Sequence, residues 1–311
     1  MDSLKQIAAD VVASAMKGGA SAADCVTREG NEVSVNVRQG AVEQLKQAGS
    51  KAIGVRVMMG QRSASAYTSD FTPDGLRQMV SRALDAAKIS SEDPSAGLAD
   101  PTLLGQHETD LQLFSAEVPN LEAPTLIEAA RRCEEAAYAT DARIRNSDGA
   151  SADAYHGRRA LATSAGFVGE YQRTYCSLSV SPIASESPAS TTAMQRDYWY
   201  SVARDFSGLE APELVGRIAA ERTLRRLGAR KVPTTRVPVI FDPRTARSLL
   251  AAIAQAISGD SVYRKASYLA GKLGERMASS QVTIIDDGTM PGGSGSAPFD
   301  DEGVKTRRNL V

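Results

Sequence analysis

Histidine is the scarcest chemistry-bearing residue of this chain: two occur in 311 positions, His107 and His156. Neither has a His, Cys or carboxylate at the spacing that sets metal ligands on one helical face. His107-Glu108-Thr109-Asp110 opens like a zinc-protease motif, but the second His that the motif requires is missing. A surface or hairpin position is the expectation for both. Cysteine is nearly as sparse: Cys25, Cys133 and Cys176 stand far apart and form no Cys-x-x-Cys pair. With an odd count and no secretory signal, that excludes a disulfide framework and leaves buried free thiols. No apolar run approaches the roughly 20 residues that span a bilayer, and no basic-then-apolar N-terminal segment is present. A soluble, cytoplasmic protein with no membrane role is expected. An excess of one charge is also lacking: 36 basic residues face 37 acidic ones, a net charge of −1. Nucleic-acid binders draw affinity from basic excess, so direct nucleic-acid binding is not expected. The densest basic run, 222–231, falls near the end of a predicted helix, where cations complement the helix dipole.

What remains is a globular composition, 42% apolar and 23% charged, in a chain long enough for two domains. Helical spacing of Leu4, Ile7, Ala8, Val11, Val12 and Ala15 predicts a helix over 4–16, ended by Gly18-Gly19. From 24 to 67 the period becomes two, with Val33, Val35 and Val37 on one face and Ile53, Val55 and Val57 on another. Gly30-Asn31, Gln39-Gly40 and Gly60-Gln61 read as turns, giving a meander of about four short strands. A helix over 72–89 follows, burying Leu76, Met79, Val80 and Leu84. Residues 90–122 lack periodicity and read as a long surface connection. Next come a helix over 124–139 and extended runs over 143–155, 159–163 and 169–182, with turns at His156-Gly157 and Ala165-Gly166. The Ser/Ala/Thr-rich stretch 181–193 reads either as a loop or as a bend between strands. A strand over 196–204, a helix over 210–227, a strand over 237–241 and an apolar helix through Ser258 complete the pattern. The expected fold class is α+β: an N-terminal helix and antiparallel-sheet layer domain, followed by a β-rich second domain. Three parts are expected: 1–100, an N-terminal α+β part; 101–235, a middle α+β part with long strands; and 236–311, the start of a C-terminal β-rich domain.

Familiar catalytic patterns are approached but not met. Gly292-Gly293-Ser294-Gly295-Ser296 resembles a nucleophile elbow, yet it ends in Ser and no helix follows; a phosphate loop would need a closing Lys-Ser or Lys-Thr. Asp286-Asp287 and Asp300-Asp301-Glu302 are candidates for a cation or for acid–base work. Neighbours on a strand point to opposite faces, however, so turn capping and loop hydrogen bonding are favoured. Ser261-Val262-Tyr263-Arg264-Lys265 is the most distinctive polar element. Tyr263 and Arg264 offer flat, hydrogen-bonding surfaces suited to peptide backbone or a partner subunit; with equal weight, Arg264 is a structural ion-pair partner.

The order of segments near the end resembles a known family. It runs Pro-Val-Ile-Phe-Asp-Pro at 238–243, an apolar helix, Gly-Asp-Ser-Val-Tyr-Arg-Lys-Ala-Ser-Tyr-Leu at 259–269, and a Gly/Pro-rich loop ending in Pro-Phe-Asp-Asp-Glu-Gly at 298–303. This looks like the TldD/PmbA family, in its PmbA (TldE) branch. Gly54-Val55-Arg56-Val57, Arg196-Asp197-Tyr198 and Leu209-Glu210-Ala211-Pro212 extend the resemblance over nearly the whole chain. Proteolytic members of that family carry His-Glu-x-x-x-His just before the Gly-Asp pair. Here those places hold Leu250, Ala251 and Gln255; shifted by one residue, they hold Ala251, Ala252 and Ala256. Leu and Ala carry no donor atom, and Gln is a poor zinc ligand. No catalytic or metal-binding residue is therefore expected in this chain.

The resemblance implies a cytoplasmic heterodimeric peptidase complex. A TldD-like subunit would hold zinc and cleave unfolded peptides, in maturing a peptide antibiotic and degrading an antitoxin, while the PmbA-like subunit completes the chamber. Substrate or partner contacts in this chain would fall on Tyr263, Arg264, Asp300, Asp301 and Glu302. The resemblance also implies a C-terminally truncated member, with an unpaired edge strand near 304–311 that favours aggregation. The family's label as a modulator of DNA gyrase is read as an indirect link through proteolysis. The alternative is an adaptor that binds DNA gyrase, or another target, without proteolysis.

Overall fold

The computed structural model describes residues 3–186 and 194–311. The second half of the 181–193 stretch therefore lies outside the described residues. Contacts divide the chain into two compact units: Met1–Gly228 with Asp286–Asn309, and Ala229–Ile285 with Leu310–Val311.

In the first unit, the Ser3 hydroxyl accepts from Gln6 N at 3.2 Å and so starts helix α1 (Leu4–Lys17), whose Leu4, Ala8, Val11, Val12 and Ala15 are buried. Three strands follow where four short ones are expected: β1 (Ala22–Arg38), β2 (Ala41–Met59) and β3 (Arg62–Thr68). Gln39 and Gly40, at φ 53° and 73°, form the two-residue turn that suits the twist of antiparallel strands. Gly30-Asn31 is not a turn. Gly30 pairs with Gly157 in mid-sheet, and His156-Gly157 lies inside β4 (Ile144–Thr163), so two expected breaks are continuous strand. Both glycines make room for the ring of Tyr155: a Cβ on Gly30 would sit 2.6 Å from its hydroxyl oxygen.

Strands β5 (Val168–Ser185), β6 (Met194–Arg196) and β7 (Trp199–Ala203) complete an antiparallel sheet in the order β3-β2-β1-β4-β5-β6, with β7 also pairing β5. Helices α2 (Pro73–Ile89), α3 (Ala123–Thr140) and α4 (Pro212–Leu224) pack on it with α1. Val33, Val35 and Val37 join the core of α3 and α4; Ala23 and Cys25 join that of α1 and α2. All five are odd positions on β1, so the helices cover one face of the sheet. The opposite face carries a smaller cluster, in which Leu161, Phe167 and Phe299 are buried with Val26 and Tyr171 packed against them. This is the α+β layer architecture expected from the change of period.

All three cysteines are buried and free, and burial pushes their thiols up, that of Cys176 to about 12. The basic run that begins in the last turn of α4 is partly engaged within the fold: Arg222 and Arg226 lie 3.5 and 3.8 Å from the Asp197 carboxylate, and Arg222 stacks over Trp199.

The second unit contains α5 (Pro243–Ile257) and α6 (Gly259–Tyr263), and among its described residues only Ala256 and Ser261 are buried. The strand expected over 237–241 is irregular chain. It has no ladder partner among the described residues, and Ile240 is 98% exposed. Strands need a neighbour to satisfy their backbone, and alternation alone does not supply one. The unpaired edge expected near 304–311 is also corrected. Val304 bridges Leu104, Lys305 bridges Phe299, and β9 (Arg308–Leu310) pairs with β8 (Ile285–Asp287).

Candidate functional site

Helix α5 begins at Asp242, whose carboxylate accepts from Arg244 N at 3.0 Å, with Pro243 in the first turn. Leu250 and Ala251 are solvent-exposed on this helix. The Gln255 side-chain amide donates to the Ser261 hydroxyl at 2.9 Å. A zinc ion needs imidazole, thiolate or carboxylate donors; two of these three side chains have none, and the third is an amide engaged in the helix-to-helix turn. Among the described residues, no group of three or more His, Cys, Asp or Glu is placed to hold a metal ion. The residues present at these positions do not fit zinc.

Gln255 shows what the turn is built for. Ser258 ends α5 and caps α6, accepting from Ser261 N at 3.2 Å, and its hydroxyl lies 3.0 Å from that of Ser261. The Ser267 hydroxyl donates to the Ala256 carbonyl at 2.6 Å and ties the following chain back to α5. Ser261 is thus buried in a hydrogen-bonded knot, and the residues after it face out. Tyr263 is 85% exposed. Arg264 donates from Nε to Asp260 at 2.8 Å, an exposed (i, i+4) pair. Such a pair contributes about 0.3–0.5 kcal/mol, so it orients the guanidinium more than it stabilises the unit.

The acidic run belongs to the first unit and is drawn apart by its neighbours. Phe299 is fully buried, with Phe167 and Tyr171 edge-on to its ring at 5.0 and 5.3 Å. The Asp300 carboxylate accepts from Glu302 N and Val304 N, both at 2.9 Å, and holds the turn that Gly303 completes at φ 84°. Asp301 pairs with Arg28, at 3.8 Å, and with Arg159. Glu302 accepts from Arg56 at 2.7 Å, and Arg56 also donates to Asp24. Burial pushes the Asp24 carboxyl up, against the pull of Arg56. Arg28, Arg56, Asp24 and Arg159 all project from the sheet face opposite the helices, so Asp301 and Glu302 fasten the 298–303 segment to that face. Asp300 caps a turn, the role the sequence favours for this run over a cation site, while Asp301 and Glu302 are engaged with arginines.

Two clefts are formed by segments far apart in sequence. One, about 290 Å³, is floored by the Glu29–Arg158 ion pair and the Asn31–His156 hydrogen bond of 3.1 Å, with Phe114 and Pro119 at its wall. The second, about 530 Å³, lies between residues 106–113 and the outer edge of β5. His107 lines it, with Nε2 2.6 Å from the Thr306 carbonyl oxygen; that oxygen only accepts, so this nitrogen carries the proton and offers no lone pair. Among the described residues that line them, neither cleft joins a nucleophile to a base by a hydrogen bond. Their one sequence-level trace is the polar interruption at Glu29, Asn31, His156 and Arg158 of two otherwise alternating strands.

Similarity to known proteins points to one family. Models of the PmbA/TldA metallopeptidase match the chain as domain 1 over residues 23–87, as the central domain over 116–227 and as the C-terminal domain over 234–311. Metalloprotease PmbA of Escherichia coli is 37% identical over the whole of this chain and 68% of its own length. A Metalloprotease PmbA homolog of Haemophilus influenzae is 35% identical over 99% of this chain and 67% of its own. A crystal structure from Bacteroides thetaiotaomicron, described as a candidate modulator of DNA gyrase, superposes with a TM-score of 0.92 at 28% identity, covering all of this chain and 70% of that one. The chain belongs to the PmbA/TldD metallopeptidase family, in its PmbA branch.

Proposed function

We propose that this chain is a non-catalytic, TldE-like subunit of a two-component zinc peptidase acting on unfolded peptides. One observation carries the reading: where the family's metal helix would present ligands, α5 presents Leu250, Ala251 and a Gln255 already bonded to Ser261. A partner bearing His-Glu-x-x-x-His would supply the zinc and the chemistry. This chain would supply surface, with the exposed Tyr263 and Arg264 as candidate contacts for that partner or its peptide. Asp300, Asp301 and Glu302 would act indirectly, by holding the segment they belong to.

The test is metal content and peptidase activity measured on the purified chain, alone and after mixing with a TldD-like partner. Less than a tenth of an equivalent of zinc, and hydrolysis only in the mixture, are expected. One equivalent of zinc, or hydrolysis by the chain alone, overturns the reading. The second reading, an adaptor for DNA gyrase, draws on the description of the Bacteroides relative. Capture of gyrase by the purified chain with no peptidase present would favour it.

A further inference from the structure

We propose that the outer edge of β5, at Glu170 and Gln172, is a binding site for an extended, basic peptide segment that adds to the sheet as a strand. The proposal does not depend on the subunit reading. Thr174 sets the geometry. Its N–H donates away from β4 to the Leu113 carbonyl at 2.9 Å, and its own carbonyl accepts from Arg204 at 3.0 Å. In an antiparallel strand the N–H and C=O of one residue point to the same side, and alternate residues repeat that direction. The register of β5 on β4 is unbroken from Val168 to Val180, so Glu170 and Gln172 turn their backbone groups outward as Thr174 does. Strand β7 pairs only with residues 176–180 and β6 only with 183–185. Among the described residues, neither Glu170 nor Gln172 makes a backbone hydrogen bond on the outer side.

The space beside that edge has the shape of a slot. It closes where Leu113 meets Thr174 and opens toward residues 106–111, which His107 N holds back by donating to the Pro298 carbonyl. The cleft there measures about 530 Å³. An added strand would find donors and acceptors on the β5 side, with Tyr171 and Phe114 offering apolar surface to its side chains. Charge selects the occupant. Glu108, Asp110 and Glu170 line the cleft and, among the described residues, no Lys or Arg does, so lysine- or arginine-bearing segments are favoured and acidic ones are opposed.

Fluorescence anisotropy with a short labelled peptide alternating lysine and valine tests this on the intact chain. Saturable one-to-one binding is expected, weakened by salt and at least roughly tenfold weaker for the glutamate–valine counterpart. A peptide N-methylated at alternate residues keeps its charge but loses the donors facing the edge, and should also bind roughly tenfold more weakly. On the protein, Gln172→Pro removes the outward N–H while sparing the ladder to β4, and should give a similar loss. Glu170→Gln should weaken the basic peptide alone. If Gln172→Pro does not fold, the N-methylated peptide on the unaltered chain decides the question. No saturable binding, equal binding of the N-methylated peptide, or equal binding of the acidic one each overturns the proposal.

Discussion

The turn between β1 and β2 is held from outside, and removing half of that hold makes a measurable test. Glu134, on α3, is 1% exposed, and its two carboxylate oxygens accept from Gln39 N at 3.0 Å and Gly40 N at 2.9 Å. The Ser147 hydroxyl donates to the same group, and Arg131 donates to the Gly40 carbonyl at 3.1 Å. Gln39 sits at positive φ, where a non-glycine residue is at a disadvantage, so the turn depends on this outside support. Glu134→Gln keeps the volume but replaces one acceptor by an NH₂ that faces a backbone N–H. Losing one charge-assisted bond costs about 1.5–3 kcal/mol, which is roughly 10- to 100-fold in a local opening equilibrium. Amide hydrogen exchange read by NMR should therefore speed up by that factor at Gln39 and Gly40. Exchange at Ile53 and Val55, in the core of α1 and α2, should not change. If Gln39 and Gly40 exchange within twofold of the unaltered protein, water or a rotated side chain replaces the carboxylate, and the buried clamp is not what holds the turn.

Gly157→Ala should cost about 1–3 kcal/mol. Its Cβ would meet the Tyr155 ring and, at 2.8 Å, the Glu29 backbone carbonyl, which cannot rotate away. An unchanged urea midpoint would refute the space argument. The hydrogen bonds of Arg143 hold the partly exposed Asp141 carboxyl at about 2. Because that value lies below the ordinary 3.8, the unfolded chain binds the proton first on acidification. The contribution is therefore present above about pH 4 and is lost as pH falls through about 2. Carbon-detected titration should show Asp141 still ionised at pH 3, and Arg143→Gln should return it toward the ordinary value; a midpoint near 3.8 in the unaltered protein would contradict the pairing.

The helices were legible because their signals are local: the spacing from Leu4 to Ala15, that of Leu76, Met79, Val80 and Leu84, and that of the helix over 124–139. The long strands were only half legible. Gly30-Asn31 and His156-Gly157 carry turn composition, but their glycines answer to the Tyr155 ring, and Gly30 and Gly157 lie more than a hundred positions apart in the chain. That Leu250 and Ala251 carry no donor atom is legible from the residues alone, whereas the engagement of the Gln255 amide with Ser261 needs the fold. The acidic run could not be read in the same way. Whether Asp301 and Glu302 gather a cation or meet arginines depends on Arg28, Arg56 and Arg159, which only the pairing of β1, β2 and β4 brings to one face. The slot beside β5 left no trace, because its walls come from 106–113, 170–172 and 298, and its chemistry lies in backbone direction.

The burial of Phe299 under Phe167 and Tyr171 sets an order of events during synthesis. The sheet of the first unit is encoded by residue 203, yet one of its faces is closed by a side chain that leaves the ribosome almost a hundred residues later. Throughout that interval Leu161, Phe167 and Tyr171 stand uncovered on a nascent chain whose other face already has its helices. Folding that proceeds from the N-terminus therefore passes through a one-sided species, apolar on its open face, and its exposure lasts as long as translation of the second unit. Slowing translation between 229 and 298 would lengthen the sticky stage without changing the finished protein.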